Sequence, residues 1–193
     1  MAIEFELKYS ADAASQEAIF TAHSGQYHTY EMETTYFDTS DGKLSARHIT
    51  LRRRMENGCS ICTVKTPVSG YGRGEWECQC DDIHTAIGHL VKLGTSRELL
   101  LLTAEGVVPV CGAKFTRRAL ELSYENAQLE LALDRGVLLG GGKEIPLCEV
   151  EVELKSGEPE AAIAFAEDLA RKFSLHPQKK SKFRRALALA KGE

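Results

Sequence analysis

Acidic and basic residues recur at every second position in several short stretches of this chain. The N-terminal stretch is the first, with Glu4, Glu6 and Lys8 separated by apolar residues. Because side chains of a β-strand point alternately to opposite faces, each stretch predicts a strand with one ionised and one apolar face. Carboxylates bind hard divalent cations, and guanidinium and ammonium groups bind phosphate oxygens. The later stretches carry Arg52/Arg54, Thr63/Lys65, Glu75/Glu77, Arg117 to Ser123, Glu130 to Asp134, and Glu149/Glu151/Glu153.

The ionised face of a strand often carries a single sign of charge. Neighbouring like charges such as Glu149, Glu151 and Glu153 repel one another, so this arrangement costs stability unless counter-ions or a charged ligand compensate. A sheet with its charged face in solvent is the common alternative. The single-signed strands favour a second arrangement, in which helices cover the apolar face and the ionised faces surround a water-filled channel. A complex of metal and polyphosphate suits such a channel.

The elements that must position these residues follow from periodicity and turn chemistry. Turn residues such as Asn57-Gly58 and Gly70-Tyr71-Gly72 separate eight predicted strands. These strands are Ile3–Tyr9, Thr34–Asp38, Ile49–Arg54, Ile61–Thr66, Glu75–Cys80, Phe115–Tyr124, Gln128–Asp134 and Cys148–Lys155. Helices are predicted at Asp12–His23, Ile83–Leu93, Ser96–Ala104, Glu158–Phe173 and Ser181–Lys191. The fold class is therefore α+β: we expect a closed eight-stranded antiparallel β-barrel with a polar, charged interior and flanking helices.

Length and composition limit the classes of protein. The 193 residues predict one domain, residues 1–193. No apolar run approaches the roughly 20 residues that a membrane span needs, and no signal peptide is evident, so we expect a cytoplasmic protein. A net charge of −4 disfavours a nucleic-acid partner. The expected partner is a small-molecule triphosphate, without membrane association, and the sequence leaves a homodimer open.

The six cysteines admit a zinc site as a weaker interpretation. Cys59-Ser-Ile-Cys62 and Cys78-Gln-Cys80 have spacings that tetrahedral zinc sites use. Both pairs fall inside predicted strands, where Cys59 and Cys62 point to opposite faces. We therefore interpret the cysteines as reduced structural thiols.

The ordered motifs resemble those of the CYTH superfamily, the triphosphate tunnel metalloenzymes. Glu4-x-Glu6-x-Lys8 is similar to the N-terminal ExExK signature, and further matches extend from Ile3 to about Arg185. In chain order they are Tyr36-Phe37-Asp38-Thr39, Leu51 to Arg54, Thr63-Val-Lys65, Glu75-x-Glu77, Glu130-x-x-Leu133-Asp134, Glu149 to Lys155, and Ser181-Lys182.

One strand departs from the family pattern. Where members often carry a K-x-R pair, this chain reads Lys114-Phe-Thr-Arg117-Arg118. Parity predicts that Arg117 points inward with Phe115 in the place of the lysine. The other register would turn Leu120 and Leu122 into the charged interior, which is unfavourable.

The resemblance implies an enzyme that acts on triphosphates with Mg²⁺ or Mn²⁺. The implied metal ligands are Glu4, Glu6, Glu130, Asp134, Glu151 and Glu153. The implied catalytic residues are Glu4, Glu6, Lys8, Glu75, Glu77 and Glu153. The implied substrate-binding residues are Lys8, Arg52, Arg54, Lys65, Arg117, Lys182 and Arg185. For Lys8 a simple salt bridge to Glu6 is the alternative.

The implied reaction is hydrolysis of inorganic tripolyphosphate to pyrophosphate and phosphate by a triphosphatase, a phosphoric anhydride hydrolase. Three alternatives remain: a class IV-type adenylate cyclase that makes cyclic AMP from ATP, a thiamine triphosphatase, and a non-catalytic polyphosphate-binding module. No aromatic cluster is evident on the inward parity, which disfavours thiamine triphosphate. The many carboxylates disfavour a module that only binds anions.

Overall fold

The structure is a computed structural model that describes residues 2–68 and 72–193. Most of the predicted turn at Gly70-Tyr71-Gly72, and the side chains of Ala2 and Ile3, lie outside the described part. The described helices are α1 (Ala13–Ala22), α2 (Lys43–Ala46), α3 (Ile83–Lys92), α4 (Glu98–Leu102), α5 (Pro159–Phe173) and α6 (Lys182–Lys191). The described strands are β1 (Ala2–Glu4), β2 (Glu6–Ser10), β3 (His28–Asp38), β4 (Thr50–Glu56), β5 (Cys59–Pro67), β6 (Arg73–Gln79), β7 (Val108–Tyr124), β8 (Ala127–Gly140), β9 (Lys143–Ser156) and β10 (His176–Pro177).

The strands form one antiparallel sheet in the order β1-β6-β5-β4-β3-β7-β8-β9-β2-β10. The α+β class with flanking helices is confirmed. The prediction of eight strands in a closed ring was wrong, because the described part of the chain has ten strands in an open order. The predicted first strand is divided at Phe5: β1 pairs with β6, and β2 pairs with β9 near the opposite end of the order. The two ends of the sheet are thus joined through the chain at Phe5.

The apolar sides of most strands face outward and are covered by helices. Leu131 of β8 and Val152 of β9 pack with Ile19 of α1 and Phe165 of α5. On the other half of the sheet, strands β4 to β6 pack on α3 and α4 through residues such as Val64. Burial of these apolar faces stabilises the fold and leaves the ionised faces on the inner side of the sheet.

Helix α6 lies on the inner face, unlike the other long helices. Leu138 shares the parity of Asp134 on β8, and it forms a third apolar cluster with Ala186 of α6. A Cβ atom at Gly140 would lie 2.3 Å from the carbonyl oxygen of Ala186, so glycine allows this close approach. The Ser181 side chain accepts a hydrogen bond from the Arg184 amide and caps the helix. Helix α6 therefore closes part of the space enclosed by the curved sheet.

None of the helices in residues 2–68 and 72–193 has the length and apolar composition of a membrane span.

Candidate active site

The ionised strand faces surround a cavity of about 460 Å³, here called the inner cavity. Among the described residues, ten basic and eight acidic side chains line it. The basic residues are Lys8, Arg52, Arg54, Lys65, Arg73, Arg117, Lys155, Lys179, Lys182 and Arg184. The acidic residues are Glu4, Glu6, Glu56, Glu75, Glu77, Glu130, Glu151 and Glu153. A cavity with this mixture of charges suits a polyanion together with cations.

The structure brings most of the residues predicted for the site to this one cavity. Asp134 and Arg185 are the two that do not line it. Asp134 is fully buried beneath the wall, and the Arg185 guanidinium donates to Glu149. Strand parity defines which face a side chain takes, but contacts to other side chains decide whether it reaches the open space.

Two arginines of β4 form a cationic wall. Arg52 Nη2 lies 3.5 Å from Glu75 and 3.8 Å from Glu77, and Arg54 Nη2 lies 2.9 Å from Glu56. The Nε atoms of Arg52 and Arg54 are buried and have no hydrogen-bond partner among the described residues. Burial, together with the charge of Arg52, lowers the pKa of Arg54. Two adjacent arginines with free donors form a site that an anion would stabilise.

Glu75 and Glu77 of β6 occupy different electrostatic surroundings. Burial raises the pKa of Glu75, although Lys65 and Arg52 oppose this effect. For Glu77, burial is outweighed by Arg52 and by a hydrogen bond of 2.8 Å from the Thr63 hydroxyl, so its pKa is lowered. Lys65 also donates to Glu4, which ties β5 to β1. Two neighbouring carboxylates with pKa values moved apart are suited to different proton-transfer roles.

Three carboxylates form a row across β8, β9 and β2. Glu130 is the register partner of Glu153, and Glu153 is the partner of Glu6. Burial raises the pKa of Glu153, and Lys155 partly offsets the rise. Lys155 Nζ lies 3.0 Å from Glu153 and 3.4 Å from Glu130. Carboxylates on a cavity wall supply the oxygen donors that Mg²⁺ and Mn²⁺ prefer.

A second group of carboxylates surrounds an ammonium group. Asp134, Glu149 and Glu151 offer oxygen atoms within 4.8 Å of one another, a spacing that a metal ion could bridge. Lys182 Nζ lies 2.6 to 2.8 Å from all three. Burial disfavours the charged form of Lys182, but the three carboxylates outweigh it and raise its pKa well above the ordinary value. The cation that these carboxylates contact is therefore the side chain of Lys182.

Arg117 is fixed by the same group. Its Nε and Nη2 atoms donate to the two oxygens of Asp134 at 2.7 Å, and Nη2 also donates to Glu151. Phe115 and Arg117 line the cavity, whereas Lys114 lies outside beside Glu33, at 3.8 Å. This is the register that parity predicted.

Lys8 contacts Glu6 at 2.6 Å, so the salt bridge considered from the sequence is present. Lys8 also lines the inner cavity, opposite its own register partner Glu151 on β9. The salt bridge and contact with a ligand are therefore compatible.

Several cavity residues were missed in the sequence. Glu56, Arg73 and Lys155 have the same parity as predicted site residues on their own strands. Longer predicted strands would have revealed Glu56 and Arg73, whereas Lys155 already ended a predicted strand. Tyr30 and Tyr36 of β3 also line the cavity, although no aromatic cluster was evident on the inward parity. The first residues of β3 were missed as strand, even though Glu31 and Glu33 alternate there with Tyr30 and Met32.

The six cysteines are all free. Cys59 is exposed and Cys62 is buried, as expected for side chains on opposite faces of a strand.

The fold and this cavity define a class of protein. Residues 2–187 match the family model of the CYTH domain, and the chain belongs to the CYTH family. An inorganic triphosphatase of Haemophilus influenzae is 28% identical over 159 residues, which cover 80% of this chain and 45% of that protein. The chain thus spans less than half the length of this curated relative.

Solved structures show the same fold at lower identity. A putative adenylyl cyclase of Hippeastrum, described as having a dominant triphosphatase activity, has a TM-score of 0.65 and 20% identity, covering 100% of this chain and 97% of that chain. A putative adenylate cyclase of Bacillus halodurans has a TM-score of 0.63 and 19% identity, and the match covers 95% of this chain and 96% of that chain.

Proposed function

We propose that this protein is a metal-dependent triphosphatase that hydrolyses inorganic tripolyphosphate to pyrophosphate and phosphate. The observation that carries the proposal is the inner cavity, where a cationic wall and a row of carboxylates face each other. Cationic residues alone would support anion binding. The additional row of aligned carboxylates supports binding of a metal–triphosphate complex and its hydrolysis.

The substrate phosphates bind along the basic residues of the wall. The free Nε donors of Arg52 and Arg54 complete their hydrogen bonding with phosphate oxygens. Lys8, Lys65, Arg117 and Lys182 already contact carboxylates, so they contribute positive charge in fixed positions. A preorganised set of charges stabilises a phosphoryl transition state without rearrangement during the reaction.

Glu4, Glu6, Glu130 and Glu153 would hold the metal, Mg²⁺ or Mn²⁺. The resemblance also implies Glu151 and Asp134 as metal ligands. In this structure they contact Arg117 and Lys182 and hold these two basic side chains in position. When bound, the metal neutralises phosphate charge and lowers the pKa of a bound water. The carboxylate row fits this role because Glu130, Glu153 and Glu6 are direct register partners on neighbouring strands.

Glu75 and Glu77 orient the attacking water and accept its proton. Each of these carboxylates is held by Arg52, and Glu77 is held in addition by Thr63. In-line attack on a terminal phosphorus forms one P–O bond and breaks the anhydride P–O bond, and pyrophosphate leaves. Positioning and electrostatics supply most of the acceleration.

Tripolyphosphate is favoured over substrates with an organic group. The aromatic side chains of the cavity include Tyr36, Phe115 and Phe183, all at least nine-tenths buried. Tyr36 packs against Phe183 with ring centroids 5.1 Å apart. These three rings therefore offer little surface for stacking a base or a thiazolium ring, and Tyr30 is the one partly exposed aromatic side chain among the described cavity residues.

The test measures phosphate release from tripolyphosphate, ATP and thiamine triphosphate with Mg²⁺ or Mn²⁺. We expect the highest kcat/KM with tripolyphosphate and pyrophosphate as the second product. Formation of cyclic AMP from ATP would instead identify a cyclase. Binding of all three compounds without turnover would leave only a binding module.

A further inference from the structure

A second cavity of about 840 Å³ lies next to the inner cavity, and we call it the outer chamber. Thr50, Arg73, Ser181, Phe183 and Arg184 line both cavities. The two spaces are therefore neighbours that share a wall at the start of β4, β6 and α6. A ligand in the inner cavity that extends past these residues enters the outer chamber.

Basic side chains outnumber acidic ones in the lining of the outer chamber. Arg73, Lys180, Arg184 and Lys191 line it, together with the two acidic residues Asp41 and Glu193. In the part of the chain that the structure describes, none of these four basic residues has an ion pair with a carboxylate. Seven basic residues that line only the inner cavity do form an ion pair with a carboxylate, and Lys179 is the exception there. The seven are Lys8, Arg52, Arg54, Lys65, Arg117, Lys155 and Lys182. Among the described residues, the basic side chains without a carboxylate ion pair are thus concentrated at the shared wall and beyond it.

The two arginines of the shared wall are held in place by neutral acceptors. Arg73 Nη2 donates to the carbonyl oxygens of His48 at 2.6 Å and Lys65 at 3.0 Å, and its Nη1 donates to the Thr50 hydroxyl at 3.2 Å. Arg184 Nη2 lies 2.7 Å from His48 Nδ1. Burial lowers the pKa of Arg73, the charges of Glu4, Glu6 and Glu75 oppose this effect, and the charge of Arg184 adds to it. Two fixed cations that repel each other form a site where an anion compensates.

We propose that the outer chamber binds the additional phosphates of a linear polyphosphate longer than tripolyphosphate. This inference rests on the proposed function, because the terminal phosphates of that chain occupy the inner cavity. Each further phosphate adds negative charge that suits Arg73, Arg184, Lys180 and Lys191. A nucleoside fits less well, because Phe183 is the aromatic residue that lines the chamber within the described ranges, and its ring packs on Tyr36.

The test compares tripolyphosphate with a linear polyphosphate of medium length in the wild type and in the double variant Lys180→Gln/Lys191→Gln. Both lysines are exposed and line only the outer chamber. The matched control is Lys92→Gln/Lys172→Gln, which removes the same charge from the last turns of α3 and α5. We expect KM for the longer chain to rise about tenfold in the first variant, as loss of two phosphate contacts implies. KM for tripolyphosphate should stay within about twofold, and the control should change neither value.

Equal changes of KM for both substrates, or the same change in the control, would overturn the proposal, because they indicate a general effect of net charge. A change of KM for ATP alone would also overturn it and assign the chamber to a nucleoside. If no substrate is hydrolysed, the proposed function fails but the subsite is still tested. Calorimetric binding of the longer polyphosphate should then be weaker in the Lys180/Lys191 variant than in the control, and equal binding would overturn the subsite.

Discussion

Lys182 Nζ donates a hydrogen bond of 2.7 Å to Glu151, which joins helix α6 to strand β9 beneath the inner cavity. Two further carboxylates, Asp134 and Glu149, lie 2.8 and 2.6 Å from the same nitrogen. Asp134 and Glu149 are fully buried, so their charges are not screened by water. Burial of a charge is costly unless it is paired, and one lysine therefore compensates three neighbouring acids together with Arg117 and Arg185.

Removal of this lysine should destabilise the fold. In Lys182→Met the three carboxylates lose their shared cation, so we expect the free energy of unfolding to fall by about 3–5 kcal/mol. Urea unfolding at neutral pH measures this quantity. Lys180→Met, two residues away and exposed, is the control and should change it by less than about 0.5 kcal/mol. A loss below about 1 kcal/mol in Lys182→Met would contradict the account of this group.

The same group makes stability depend on acid pH. Although burial opposes it, the charges of Lys182 and Arg117 lower the pKa of Glu151 well below its ordinary value of 4.5. Below about that pH the unfolded chain binds a proton at Glu151 and the folded chain does not, so stability falls as pH decreases, by at most about 1.4 kcal/mol per unit. Glu149 has the opposite effect on the pH dependence of stability, because burial raises its pKa.

Unfolding by urea at a series of acid pH values measures this dependence. We expect the stability of Glu151→Gln to change less steeply with pH than that of the wild type. The exposed Glu144→Gln is the control and should follow the wild type. Parallel curves for Glu151→Gln and the wild type would show that Glu151 does not carry the effect.

Metal should bind at the carboxylate row of β8, β9 and β2. Glu153→Gln keeps the size of the side chain but removes a charged ligand between Glu130 and Glu6. We expect the affinity for Mn²⁺, measured by calorimetry, to fall at least about tenfold, since even outer-sphere changes have effects of this size. Chelation of the metal should abolish phosphate release from the wild type. Unchanged affinity in Glu153→Gln, with Glu144→Gln again as control, would place the metal elsewhere.

The faces of the strands could be predicted because parity is a local property. The alternation of Arg52 and Arg54 with Leu51 and Arg53 already determines which side chains share a face, and the structure places the first two on the cavity wall. The same holds for Arg117, where the unfavourable burial of Leu120 and Leu122 decided the register.

The remaining features depend on contacts between residues far apart in the chain. Asp134 has the predicted parity, but Arg117 and Lys182 occupy its oxygens, and the position of Lys182 depends on how α6 docks. Helix α6 lies on the inner face for two reasons. Gly140 permits close approach of the α6 backbone, and Leu138 places an apolar side chain on the otherwise charged face of β8. The interruption at Phe5, which leaves the hydrogen-bonded order open, has no signal in the periodicity of the first ten residues.

The most direct test of the central claim compares Arg52→Gln with Arg53→Gln in phosphate release from tripolyphosphate. Arg52 lines the inner cavity, whereas its neighbour Arg53 faces outward and donates to the Asp81 carbonyl oxygen at 3.0 Å. If the inner cavity is the substrate site, kcat/KM should fall by about a hundredfold or more in Arg52→Gln and by less than about threefold in Arg53→Gln. Equal activity of the two variants, or a larger loss in Arg53→Gln, would contradict the assignment of the inner cavity as the triphosphate site.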